Sequence, residues 1–118
     1  MNVLDSIVTL APSIASLRRE IHAHPELCFQ EVRTADLVAN KLTEWGLPIH
    51  RGLGTTGVVG IVKSGTSSRA IGLRADMDAL PMQEFNTFDH ASQHAGKMHA
   101  CGHDGHTAML LAAARHFS

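Results

Sequence analysis

The chain has 118 residues and a formal net charge of −1, with ten Lys and Arg against eleven Asp and Glu, which gives no electrostatic argument for nucleic acid or an anionic membrane surface. Its 44% hydrophobic and 18% charged residues are ordinary for one soluble globular domain, and two cysteines are too few for a disulfide framework. An early Asp5 without Lys or Arg argues against a signal peptide, and no apolar run approaches a membrane span, so the sequence predicts a reduced, cytoplasmic chain with neither nucleic-acid nor membrane partner.

The first predicted element is a helix. Ile7, Leu10, Ile14, Leu17 and Ile21 recur at alternating three- and four-residue spacing, which places them on one face. Pro12 predicts a regular start near that residue, and His24-Pro25 predicts the end, because a residue before proline disfavours helical backbone. A second helix is predicted from Gln30 to Trp45 with Ala35, Val38, Leu42 and Trp45 inward, stopped by Gly46 and Pro48. The period then changes. Ile49 to Leu53, Gly57 to Lys63 and Ala70 to Arg74 are short and β-branched, separated by turn-forming Gly-Thr-Thr-Gly and Ser-Gly-Thr-Ser-Ser, and predict three strands. Pro81 to Lys97 has no period and predicts a long loop. A last helix from about Gly105 is apolar nearly all round, so it needs covering on several sides. The expected class is α/β within residues 1–118, marginally stable in isolation.

Five of the nine histidines fall between His90 and His106. The run Met98-His99-Ala100-Cys101-Gly102-His103-Asp104-Gly105-His106 holds one thiol, three imidazoles and a carboxylate just before a helix. Thiolate and neutral imidazole both ligate zinc, and imidazole also suits Mn, Ni and Co. Asp104 is expected to cap the helix, whose N-terminal partial charge would favour a deprotonated Cys101. Cys101 and His103 are therefore candidate metal ligands, whereas His99 and His106 are expected to support or to be structural. Two ligands do not complete a zinc site. The bland alternative is a small buried cysteine beside a capping-region histidine.

A second constellation, Arg74-Ala75-Asp76-Met77-Asp78-Ala79-Leu80-Pro81, follows the third predicted strand. Asp76 and Asp78, two apart on extended backbone, would face one side, where a carboxylate could ligate a metal or fix a ligand imidazole. A turn-forming pair before Pro81 explains them equally well. The third segment, Arg18-Arg19-Glu20-Ile21-His22-Ala23-His24-Pro25-Glu26-Leu27 with Glu31 and Thr34, reads only as a polar helix end with Arg18 and Glu31 available for ion pairs.

Together, Leu17 to His22 with His24 to Leu27, Leu73 to Pro81, and Gly96 to Thr107 resemble the dinuclear metal aminoacylase and metallopeptidase superfamily. The nearest subgroup comprises hippurate hydrolases, N-acyl-amino-acid amidohydrolases and plant auxin-conjugate hydrolases. The resemblance implies the N-terminal part of a zinc-peptidase-like three-layer catalytic domain. It implies Cys101 and His103 as two metal ligands, and Asp78 as the position of an aspartate that orients a ligand histidine in related branches. Asp76 stands where those branches have that histidine. The implied reaction hydrolyses the amide between an acyl group and an amino acid. Two divalent ions (Mn, Zn, Co or Ni) activate water and polarise the carbonyl, and a glutamate of a Glu-Glu pair is general base.

That pair, two further histidine ligands and an inserted dimerisation domain lie beyond Ser118 in family members. The expectation is thus an N-terminal portion of an amidohydrolase acting on small N-acyl amino acids, a homo-oligomer at full length, with the 118 residues alone inactive. The alternatives are an inactive remnant, or a small structural zinc module, which the single cysteine of the motif disfavours.

Overall fold

In the computed structural model, which describes residues 3–118, helix α1 spans Asp5–Ala23 and buries Leu17, Ile21, His22 and Ala23 near its end. The helix begins well before Pro12, which lies inside it. A proline there cannot donate to the Val8 carbonyl, but Val8 and Ala11 to Ser13 are exposed, so water can satisfy that oxygen. The predicted end holds. The His24 amide donates to the Ile21 carbonyl at 3.1 Å, and the buried Pro25 follows.

Helix α2, Val32–Glu44, starts two residues later than its periodicity predicts. The Glu26 carboxylate accepts from the Arg33 and Thr34 amides at 2.9 and 2.7 Å and from Thr34 Oγ1 at 2.7 Å. A remote side chain thus satisfies first-turn donors that have no partner within the helix. At the other end Gly46 has φ of 75°, and the amides of Gly46 and Leu47 donate to the carbonyls of Thr43 and Leu42 at 2.9 and 3.0 Å. This paired closure of the last turn needs a left-handed residue, which glycine supplies without a Cβ clash.

Strands β1 (Ile49–Leu53) and β2 (Gly57–Gly60) form an antiparallel hairpin with Ile49 opposite Gly60 and a register irregularity between Arg51 and Leu53. Two predictions fail here. The second strand stops at Gly60 instead of Lys63, and Ala70 to Arg74 is not a strand. No described segment hydrogen-bonds along residues 70–74, and Ile71 and Leu73 are left 88% and 65% exposed. β-branched composition favours a pleated, half-covered surface and does not by itself create a partner.

Helix α3, His103–Phe117, starts two residues earlier than predicted. Its Leu111 joins Leu17, Ile21 and Leu42 in the core, with Ile14, Val38, Trp45 and Leu47 packed around them. Each such aliphatic side chain contributes about 1.5–3 kcal/mol on full burial. Coverage is one-sided, since Met109 and Phe117 remain exposed. Residues 81–97 run as turns and bends, as predicted. No helix among the described residues is long and apolar enough to cross a membrane.

Candidate functional site

Backbone pairing brings the two chemistry-bearing segments together. Ala79 forms an isolated parallel bridge with Leu27, its amide donating to the Glu26 carbonyl at 2.7 Å. One residue on, Leu80 and Met98 exchange hydrogen bonds of 2.9 and 3.1 Å. The aspartate segment is therefore held between the end of α1 and the start of the histidine-rich run. Thr107 Oγ1 on α3 adds a bond to the Asp76 carbonyl at 3.0 Å.

His103 sits in this frame as the first residue of α3, after Gly102 at φ 84°. Its Nδ1–H donates to Asp78 Oδ1 at 2.9 Å and to the Asp78 carbonyl at 3.0 Å. Both neighbours are acceptors, so the proton is on Nδ1 and the neutral ring offers its lone pair at Nε2. Asp76 Oδ2 lies 3.8 Å from that Nε2, while its other oxygen pairs with Arg74. Both aspartates thus face one side, as two-residue spacing predicts, although no strand carries them. Cys101 is exposed, which excludes the small-buried-cysteine alternative.

A carboxylate-held imidazole with a free Nε2, beside an accessible thiol, fits the donor preferences of a late first-row divalent ion. It is half a site. No group of three or more His, Cys, Asp or Glu side chains among the described residues is arranged to hold a metal ion.

Asp104 departs from expectation. It is not the cap: Gly102 holds that position, and Asp104 is the second residue of α3 and fully buried. Its Oδ2 accepts from Arg18 Nε at 2.9 Å and from His22 Nδ1 at 2.8 Å. The other nitrogen of His22 reaches Glu84 Oε1 at 3.0 Å. Glu84 also accepts from Asn86 Nδ2 at 2.9 Å and the Ser92 amide at 2.6 Å. Burial alone would raise the Glu84 pKa, but the hydrogen bonds from Asn86, His22 and Ser92 and the His22 charge hold it down to about 2. Burial likewise opposes ionisation of Asp104, and the His22 hydrogen bond and the Arg18 charge bring it below the ordinary carboxylate range. Carboxylates thus face both ring nitrogens of His22.

This network crosses the segment expected to be only a polar helix end. Arg18 and His22 are four apart on α1 and therefore neighbours on one face, beside the buried Leu17 and Ile21. That spacing was the available signal for His22. Glu84 lies in a stretch without period and had none. His99, only 4% exposed, is packed against the network with its ring 6.2 Å from that of His22, and neither ring nitrogen has a hydrogen-bond partner. Burial keeps its pKa below the ordinary imidazole value. His106 is exposed, its ring 5.4 Å from that of His103.

Residues 72–118 match peptidase family M20/M25/M40. The whole chain is 49% identical to a hippurate hydrolase of Campylobacter jejuni, and 89% of it is 50% identical to an N-acyl-L-amino acid amidohydrolase of Geobacillus stearothermophilus. The chain spans 31% and 28% of the lengths of these two relatives. Among solved structures, a dinuclear metal binding peptidase of the M20 family from Bacillus subtilis superposes with a TM-score of 0.86 at 39% identity, covering 92% of this chain and 30% of that one. The α/β arrangement described above is thus shared with part of an M20 peptidase.

Proposed function

The chain is a relative of the dinuclear metal aminoacylase and metallopeptidase superfamily, and on that premise we propose that it is the N-terminal part of the catalytic domain of a metal-dependent amidohydrolase cleaving N-acyl amino acids of the hippurate type. The observation that carries this reading is the Asp78–His103 pair beside Cys101, in a chain about half identical to proteins named for that hydrolysis.

His103 Nε2 and the Cys101 thiolate are the metal ligands this chain contributes. Asp78 fixes the His103 tautomer and ring direction and makes the imidazole more basic. Gly102, at φ 84°, supplies the left-handed turn between residues 101 and 103. Divalent ions (Mn, Zn, Co or Ni), two in the complete site, supply Lewis acidity toward the amide carbonyl and activate water at neutral pH. No carboxylate of this chain is assigned as general base. Asp76 and Asp78 already serve Arg74 and His103, and Glu84 and Asp104 are closed into the buried network. The substrate is a small N-acyl amino acid, and nucleic acid and membrane play no part. The complete protein is cytoplasmic and homo-oligomeric through a further domain, whereas the 118 residues alone do not turn over.

The test is hydrolysis of hippurate and other N-acyl amino acids by the protein translated from the source gene past Ser118, with each of the four metals. Release of glycine that is lost in Cys101→Ser and His103→Ala is the expected result. A protein that binds metal but cleaves none of the substrates overturns the reading in favour of an inactive remnant.

A further inference from the structure

A second histidine pair lies away from the motif. His24 Nδ1 and His94 Nε2 face each other at 3.2 Å, with ring centroids 5.4 Å apart and ring planes at 67°. The backbone fixes this approach. The Gln93 amide donates to the Ala23 carbonyl at 2.9 Å, so the residues immediately preceding the two histidines are tied together. The buried Pro25 immobilises the chain after His24, and Ser92 Oγ braces residue 94 by donating to its carbonyl at 3.0 Å and accepting from its amide at 3.1 Å.

We propose that His24 and His94 form a weak, two-imidazole surface site for a divalent zinc-like ion, with the remaining positions left to water, separate from the Cys101–His103 motif. Two nitrogens bound to one tetrahedral zinc at 2.0–2.1 Å lie about 3.3 Å apart, which the observed separation nearly meets. The ion replaces the proton shared between the rings. The ring that donates moves its proton to its other nitrogen, so both stay neutral and both lone pairs point to the metal, with water completing the coordination.

The setting of His24 favours the neutral imidazole that a metal ligand must be. Burial, the Arg33 charge and His94 lower the His24 pKa, which keeps its lone pair available at neutral pH. Of the charges acting on His24, Glu20 and Glu26 are acidic and Arg33 is basic, and Arg33 is paired with Glu20 at 3.1 Å. Because the two imidazoles come from the end of α1 and from the loop leading to Met98, the bound ion would clamp that loop to the helix.

The test removes the motif first. In Cys101→Ser/His103→Ala, zinc chloride titration should still saturate at one equivalent and raise Tm, and the ring nitrogen resonances of His24 and His94 should shift together. Loss of an outer partner alone costs 10–100-fold in metal affinity, so adding His94→Gln should weaken binding by about tenfold or more. His94 is exposed, so this change spares the fold. Ring resonances unmoved by zinc, or equal affinity with and without His94→Gln, would reduce the pair to a hydrogen bond and overturn the proposal. If the double variant fails to fold, the same resonances in the unmodified chain decide the matter. The result is independent of whether the complete protein hydrolyses anything.

Discussion

His22 and His103 each donate from Nδ1 to an aspartate, at 2.8 and 2.9 Å, yet the two imidazoles do opposite work. The second nitrogen of His22 is consumed by Glu84, and the whole cluster is buried. The second nitrogen of His103 has no closer carboxylate than Asp76 at 3.8 Å, and the exposed Cys101 lies two residues before it in the chain. One carboxylate leaves a histidine a free lone pair, whereas two make it a cross-link. What separates the proposed ligand from the structural cross-link is therefore the fate of Nε2.

The largest expected effect breaks the cross-link. His22→Leu leaves Asp104 and Glu84 buried without their shared donor and should cost about 3–5 kcal/mol by urea unfolding. His103→Ala, which loses one half-open bond, should cost about 1 kcal/mol. Equal losses would mean the two pairs are not different in kind.

Acid comes next, and its sign follows from the depressed pKa values. Glu84 ionises at about 2 when folded and 4.5 otherwise, so its contribution is complete above pH 4.5 and is lost as pH falls toward 2. Asp104 acts in the same direction from 3.8 downward. His99 is held neutral by burial, so the unfolded chain takes up its proton first and stability also declines as pH drops below 6.5. Urea midpoints followed against pH should show both windows, with Glu84→Gln flattening the lower one.

Asp78→Asn sharpens the other side. It keeps the shape but weakens the hold on the His103 tautomer, and should lower cobalt affinity 10–100-fold, read from the thiolate-to-cobalt absorption of Cys101. Unchanged affinity would remove Asp78 from the site. The smallest effect is Arg18→Ala, about 1 kcal/mol, because its side chain is 43% exposed and solvent already screens the pair. A larger loss would make Arg18, not His22, the principal partner of Asp104.

The open pair was legible and the closed one was not, for a geometric reason. Cys101 and His103 are two residues apart and read together as candidate ligands, while Asp78, 25 residues before His103, was linked to them only through the family resemblance. His22 meets Glu84 and Asp104 across 62 and 82 residues, and no local pattern links the three. Asp104 was legible as a residue of a helix start, but its direction depends on α1 packing against α3. The helices and the Gly46 stop followed from periodicity and backbone sterics. The start of α2 did not, since Glu26 sets it from outside the helix. The strand expected at 70–74 failed because pairing needs a neighbour that no local pattern specifies.

That unpaired stretch sets how the chain behaves in concentrated solution. Ala70 to Arg74 offers Ile71 and Leu73 to solvent with its backbone groups unladdered, which is a template for intermolecular β-pairing. Arg69 and Arg74 flank it as like-charged gatekeepers. Their repulsion is screened by salt, so the 118-residue chain should turn from monomer to soluble aggregate as ionic strength rises, and exchanging Ile71 for lysine should keep it monomeric.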